Sequence, residues 1–172
     1  MKGTMVCCLK EMVTEKFGVE VWRNTLQKSG LDRDTVFLAL DDIPDEKVVE
    51  VLSNLCKELN VSLDQAADVY GEYFATVYAP RVYGGFFIGV ENAKGFLLKM
   101  NTIHEATTKM IKNATPPIFY YEDKGKSLII TYESQRNLVP IFKGLIKGVG
   151  KYFKEELQLR SISPHRVEII FP

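Results

Sequence analysis

Tyr132, Ser134 and Arg136 stand at i, i+2 and i+4 in YESQR, directly after the apolar run SLIIT. On an extended segment all three point to one side. Two hydroxyls and a guanidinium facing one way are a donor set with no acidic member among the three. The matching chemistry is the grip of a carboxylate or phosphate. Arginine holds such a group with two parallel N–H bonds, and hydroxyls fill its remaining lone pairs. A solvated strand end, with the arginine paired to a surface carboxylate, is the plainer alternative.

His104 is the second residue of interest. A helix over about Lys94 to Asn113 would carry an inward stripe of Phe96, Leu97, Met100, Ile103, His104, Thr107, Met110 and Ile111. A histidine on that apolar face is either a buried, hydrogen-bonded core residue or an axial metal ligand bound through one nitrogen of a neutral imidazole. The two features together fit haem. Its iron needs an axial histidine, its propionates need donors, and its porphyrin needs apolar cover.

The elements that must position these residues follow from periodicity. Met5, Cys8, Leu9 and Met12 recur at i, i+3, i+4 and i+7, one face of a first helix. VEVWRNTLQKSG predicts a second helix, stopped at Gly30. DDIPDEKVVEVLSNLCKELN opens with Asp42 and Pro44 and becomes amphipathic. In SLDQAADVYGEYFATVYAP, Ser62 can cap with Gln65 three residues on, and Pro80 should end the helix. YGGFFIG predicts a turn or a short helical piece. Thr115-Pro116-Pro117 then blocks helix. IFYYE and SLIITY, separated by DKGK with Gly125, predict a hairpin. NLVPIFKGLIKGVGKYFKEEL returns to helical spacing, and RVEIIF predicts a last strand after a short one near LQLRSI. The sum is an α+β chain, helical in its N-terminal part, with a small antiparallel sheet carrying one more helix.

Composition narrows the function classes. The chain has 172 residues, 22 basic and 22 acidic, so no global field favours nucleic acid or an anionic membrane. The N-terminus reads as an amphipathic helix with internal charges, not as a signal peptide, and the apolar runs are too short to span a bilayer. A cytoplasmic location is expected. Cys7, Cys8 and Cys56 are odd in number and two are adjacent, which suits small core hydrophobes better than disulfides. No Ser-His-Asp order, P-loop or paired-carboxylate pattern suggests an enzyme, and His165 lies in an SPHR turn.

The stretch IHEATTKMIKNATPPIFYYE…ITYESQR…FKGLIKGVGKYFKEEL resembles the H-NOX family of haem nitric oxide/oxygen-binding domains, related to the haem domain of soluble guanylate cyclase. The opening MKGTMV is also similar, and the resemblance covers essentially the whole chain. It implies one H-NOX domain over 1–172, with a distal helical subdomain over about 1–60 and a proximal subdomain over about 61–172. The implied fold has a four-stranded antiparallel sheet with helices in its C-terminal part, and haem b (iron protoporphyrin IX) buried between the subdomains. By resemblance His104 is the axial iron ligand, Tyr132, Ser134 and Arg136 hold the propionates, and Pro117 presses on the porphyrin.

The family also frames gas choice. Bound dioxygen gains much from a hydrogen-bond donor in an apolar pocket, whereas nitric oxide needs none. Oxygen-binding members carry a distal tyrosine five residues beyond the motif's arginine, supported by a tryptophan and an asparagine. Those positions fall on Ile141, Leu9 and Phe74, all apolar. The resemblance thus implies a distal pocket of Met5, Leu9, Phe74, Ile141 and Leu145, and a sensor that takes nitric oxide, with carbon monoxide as a second gas, and discriminates against oxygen. Tyr70, Tyr73 or Tyr78 turning inward, or the Met5 thioether reaching iron, would alter that. Some members carry a zinc site of cysteines and a histidine in the C-terminal subdomain; no cysteine follows Cys56 here.

In the family mechanism, gas binding weakens the bond from iron to His104 and lets the porphyrin flatten. The 172 residues contain no recognisable output domain. A fused chemotaxis or cyclase domain, a histidine kinase or a cyclic-di-GMP enzyme is the expected reader, and a bacterial source is expected. The alternatives are a haem carrier or redox haem protein without gas signalling, and a haem-free interaction domain.

Overall fold

The computed structural model describes residues 3–109, 111 and 114–172. The chain divides into two compact units, Met1–Ala66 and Ala67–Pro172. Among the described residues no helix is long and apolar enough to cross a membrane.

In the first unit α1 (Gly3–Phe17), α2 (Val19–Lys28) and α3 (Asp45–Leu59) pack in chain order. Cys8, Leu9, Met12 and Val13 turn inward from α1, Trp22 and Leu26 from α2, and Val48, Val51 and Leu55 from α3. The face expected of the first helix is the buried one, with Met5 at its half-buried margin. Cys8 is a core residue, while Cys7 and Cys56 are partly buried free thiols whose pKa values burial pushes up. The segment after α2 returns over the start of α1. There the Gly3 and Thr4 N–H groups donate to the Asp41 and Ala39 carbonyls at 2.7 and 3.0 Å, which satisfies two of the orphan donors of that helix end.

α4 (Leu63–Tyr73) begins on the expected capping box: Gln65 N–H donates to Ser62 Oγ at 3.2 Å, and Ser62 N–H donates to Gln65 Oε1 at 2.9 Å. Its far end differs from expectation, because Pro80 does not stop it. The helix widens into a π turn at Phe74–Tyr78 and continues as α5 (Ala79–Val82). Proline lacks an N–H and crowds the carbonyl one turn back. The wide turn, in which Ala79 N–H reaches five residues back to the Phe74 carbonyl, absorbs that misfit. A 3₁₀ turn at Gly84–Phe86 follows.

The rest of the second unit is a four-stranded antiparallel sheet of order β1-β2-β4-β3, with β1 Ile118–Asp123, β2 Ser127–Glu133, β3 Gln158–Ser163 and β4 Arg166–Ile170. α8 (Val139–Phe153) carries Pro140 in its first turn. The inner sheet face, with Phe119, Leu128, Ile130, Tyr132, Val167 and Ile169, shares one core with Phe142, Ile146 and Val149 of α8 and with Ala93, Phe96 and Leu97. The α+β class is therefore as read from the sequence.

The single helix expected over 94–113 is instead two, α6 (Ala93–Leu97) and α7 (Met100–Thr108); Met110 and Asn113 lie outside the described residues. The two pieces have different anchors. α6 packs against α8. α7 is tied to β1, where the Asn101 amide donates to the Phe119 carbonyl at 2.8 Å and accepts from the Phe119 N–H at 2.9 Å. The backbone turns between them at Lys99, with φ −88° and ψ 0°.

Candidate functional site

The Y-x-S-x-R stretch sits where the first hairpin stops being a sheet. β1 and β2 pair in register from Asp123↔Leu128 to Ile118↔Glu133. Pro117 and Pro116 come next and have no N–H to extend the ladder. On the other strand Ser134 to Asn137 form a turn. Asn137 N–H donates to the Ser134 carbonyl at 3.2 Å, Arg136 N–H donates to Ser134 Oγ at 3.3 Å, and Asn137 is left-handed at φ 49°. The expectation that Tyr132, Ser134 and Arg136 line one side of an extended segment is thus corrected. Only Tyr132 is in the strand; Ser134 organises the turn and Arg136 lies within it.

Arg136 reaches back across this end of the hairpin. Its Nη1 donates to the Thr115 carbonyl at 2.7 Å and its Nη2 to Thr115 Oγ1 at 3.2 Å. The fork of the guanidinium therefore holds the residue just before the two prolines.

His104 is half-buried on α7. Its Nδ1 is 2.8 Å from the Met100 carbonyl, one turn earlier. A carbonyl can only accept, so the proton belongs on Nδ1, and Nε2 becomes the nitrogen with the lone pair a metal needs. The His104 carbonyl accepts from Thr108 Oγ1 at 2.6 Å. The imidazole is 5.5 Å from the Phe119 ring, which is 5.8 Å from Tyr132 and 5.6 Å from Phe142; Tyr132 and Phe142 stack at 5.0 Å, 10° from parallel. His104 and Tyr132 are thereby brought into one aromatic cluster.

Three of the residues expected on the distal side belong to this unit. Phe74 lies in the π turn, 5.9 Å from both Tyr70 and Tyr78. Ile141 is buried in the first turn of α8 and Leu145 is half-buried one turn on. Tyr70, Tyr73 and Tyr78 are all buried. The backbones of α4 and α8 touch. A Cβ on Gly144 would stand 2.1 Å from the Ala67 carbonyl oxygen, and one on Gly148 2.0 Å from that of Gly71. Met5 and Leu9 are on α1, in the first unit.

Three residues with a part in this arrangement were not singled out by sequence reading, Asn101, Phe119 and Phe142, and Thr115 was read only as part of the segment that blocks helix. An asparagine inside a helical stretch and a threonine before two prolines are weak signals. Each acquires meaning only from a partner 18 or 21 residues away.

Comparison with known proteins gives a consistent answer. The family model described as Haem-NO-binding matches residues 2–161. Soluble guanylate cyclase gcy-37 of Caenorhabditis elegans is 27% identical over 156 residues, 88% of this chain and 22% of that cyclase. Soluble guanylate cyclase gcy-34 of the same organism is 23% identical over 148 residues and is likewise covered over 22% of its length. The chain thus spans about a fifth of the length of these curated relatives. Among solved structures, an oxygen-binding H-NOX domain related to soluble guanylate cyclases aligns at TM-score 0.86 and 27% identity, over 99% of this chain and 95% of that one. A Cs H-NOX mutant with 4-cyano-L-phenylalanine at site 5 aligns at TM-score 0.90 and 27% identity, over 99% and 96%.

Proposed function

The chain belongs to the Haem-NO-binding family, and we propose on that premise that it holds haem b and senses nitric oxide in preference to oxygen. His104 carries the reading. Its Nδ1 is engaged by the Met100 carbonyl, the arrangement that presents Nε2 to iron. The donor chemistry fits the rest of the group. Arg136 is a guanidinium at the end of the first hairpin, Ser134 is a hydroxyl in the same turn, and Tyr132 is a phenol on the adjoining strand. Phe119 lies beside His104, and Phe142 packs on Phe119.

When bound, haem supplies an iron to which a diatomic gas can attach. The protein's part is to hold His104 and to choose the gas. With haem bound, His104 would tie α7 to it, while Asn101 ties the same helix to Phe119 on β1. A change in the first tie would then load the second and bear on the sheet. The size of such a switch equals the difference in affinity of the gas for the two conformations. Selectivity is assigned to apolar side chains, Ile141, Phe74 and Leu145 of the second unit, with Leu9 and Met5 of the first carrying no donor either. None of these offers dioxygen an O–H or N–H donor. A relative of the same fold binds oxygen, so the choice rests on side chains and not on architecture. The signal then passes to a histidine kinase, a cyclic-di-GMP enzyme or a chemotaxis or cyclase domain. The cyclase activity of the worm relatives is not carried over, because the match covers 22% of their length.

The test is an absorption spectrum of the haem-loaded protein, reduced without air. We expect a five-coordinate ferrous spectrum that is unchanged by oxygen and altered by nitric oxide. His104→Gly should lose the histidine-ligated spectrum and regain it with added imidazole, and Ile141→Tyr should gain a stable oxygen complex. A stable oxygen complex in the unaltered protein would defeat the proposed selectivity. Six-coordinate haem before any gas would favour a carrier.

A further inference from the structure

We propose that Thr115, through its hydroxyl, is a positioning residue that sets Pro117 by way of Arg136, and with it the shape in which the porphyrin is held. The inference rests on the haem reading, in which Pro117 meets the porphyrin and Arg136 the propionates.

The β1/β2 register carries the argument. Phe119 faces Tyr132 and Ile118 faces Glu133. Thr115 lies three residues before Ile118 and Arg136 three residues after Glu133, so the two flank the last pair of the ladder at equal remove, although Ser134 to Asn137 have by then turned out of the strand. Two prolines in a row cannot donate, so the backbone ladder must stop where it does. Beyond the end of the ladder the contact is made by a side chain, with Arg136 closing on both the carbonyl and the hydroxyl of Thr115. Pro116 and Pro117 are thereby fastened at both ends, by the Thr115 clasp on one side and by strand pairing at Ile118 on the other. Asn101 holds the next residue, Phe119, by its N–H and its carbonyl. A proline ring between two such anchors has a fixed φ and little room to retreat.

Arg136 is itself fixed by the Ser134 turn. In the haem reading one planar guanidinium then serves an anionic propionate and the segment bearing Pro117. The propionate grip and the proline position are mechanically joined, and Thr115 is the joint.

The experiment measures the midpoint potential of the haem iron and the out-of-plane porphyrin bands in resonance Raman spectra. It uses four haem-loaded variants: Thr115→Val, Thr115→Ser, Pro117→Ala and the double variant Thr115→Val/Pro117→Ala. Thr115→Val removes the hydroxyl acceptor and keeps the shape. It should shift both readouts in the same direction as Pro117→Ala, by a smaller amount. Thr115→Ser restores the hydroxyl and should restore the unaltered values. The double variant should match Pro117→Ala alone. A Thr115→Val protein with unaltered potential and bands, beside a shifted Pro117→Ala, overturns the role of the Thr115 hydroxyl and leaves the haem reading intact. A Thr115→Val shift that persists in full on the Pro117→Ala background overturns the route through the proline. Failure of Pro117→Ala to move either readout removes the porphyrin contact and the inference with it, and failure of the unaltered protein to bind haem removes the underlying reading.

Discussion

Two regions of the second unit frame the candidate site by opposite means. The α4–α8 pair, which carries Phe74, Ile141 and Leu145, is held by backbone against backbone. Gly71, Gly144 and Gly148 leave no space for a single added carbon. The end of the β1/β2 hairpin, which carries Tyr132, Ser134, Arg136 and Pro117, is held by side chains reaching to backbone across a break in the ladder. A backbone contact has one arrangement and no substitute. A guanidinium has five donors and can share them. The α4–α8 wall is therefore fixed by its main chain, while the hairpin end depends on side chains that a substitution can alter.

The comparison breaks most visibly at Gly144. Gly144→Val places branched carbons against the Ala67 carbonyl, a backbone atom that cannot rotate away. Overpacking typically costs about 1–3 kcal/mol and occasionally more. With backbone as the obstacle, a loss of about 3 kcal/mol is expected, read as a lower denaturant midpoint with unchanged slope. Gly144→Ala should lose less, because alanine regains about 1 kcal/mol of helix propensity over glycine. Stability unchanged by the valine would mean that the two backbones are not in contact.

The same contrast explains what the sequence made legible. The inward face of α1, the Ser62–Gln65 box, the hairpin around Gly125 and the turn to helix at Pro140 are written in residues close together in the chain. Local rules find them. His104 and the Y-x-S-x-R residues stood out for the chemistry of their types. Their geometry did not follow. Tyr132 to Arg136 continues an apolar run and reads as strand, yet it bends because Thr115 and the two prolines lie opposite. The α6–α7 break at Lys99 has no glycine or proline to announce it; it follows from Asn101 finding Phe119. The π turn before Pro80 likewise keeps a helix going where proline normally ends one. In each case a contact or a backbone adjustment outside the local pattern overrode the local signal.

Asn101 gives a sharper, intermediate test. Asn101→Ala leaves the buried Phe119 N–H and carbonyl without the amide that serves both. An abandoned buried polar group costs about 1–3 kcal/mol, and water reaching the sheet edge offsets part of it, so a loss of about 2 kcal/mol is expected. Asn101→Asp keeps an acceptor for the N–H and drops the donor for the carbonyl. If the two halves of the clamp act separately, amide exchange at Phe119 should stay slow in the aspartate variant and quicken in the alanine one. Equal quickening in both would show the pair to be inseparable.

The smallest effect belongs to the charges that flank the glycine contact. Lys147 bridges to Asp68 at 2.6 Å, and Lys151 pairs with Glu72 one turn on. Both pairs join the same two helices that the glycines bring together. Their exposure limits what they contribute: the Lys147 and Asp68 side chains are 46% and 45% accessible. Exposed pairs are typically worth about 0.2–1 kcal/mol and weaken with salt. The double variant Lys147→Ala/Lys151→Ala should lose well under the valine variant, about 0.5 kcal/mol, and that difference should shrink as ionic strength is raised. The Gly144→Val loss should not respond to salt, because it is steric. A salt-insensitive loss of several kcal/mol in the lysine variant would place the wall's strength in its charges, and the glycines would then be a consequence of close packing instead of its cause.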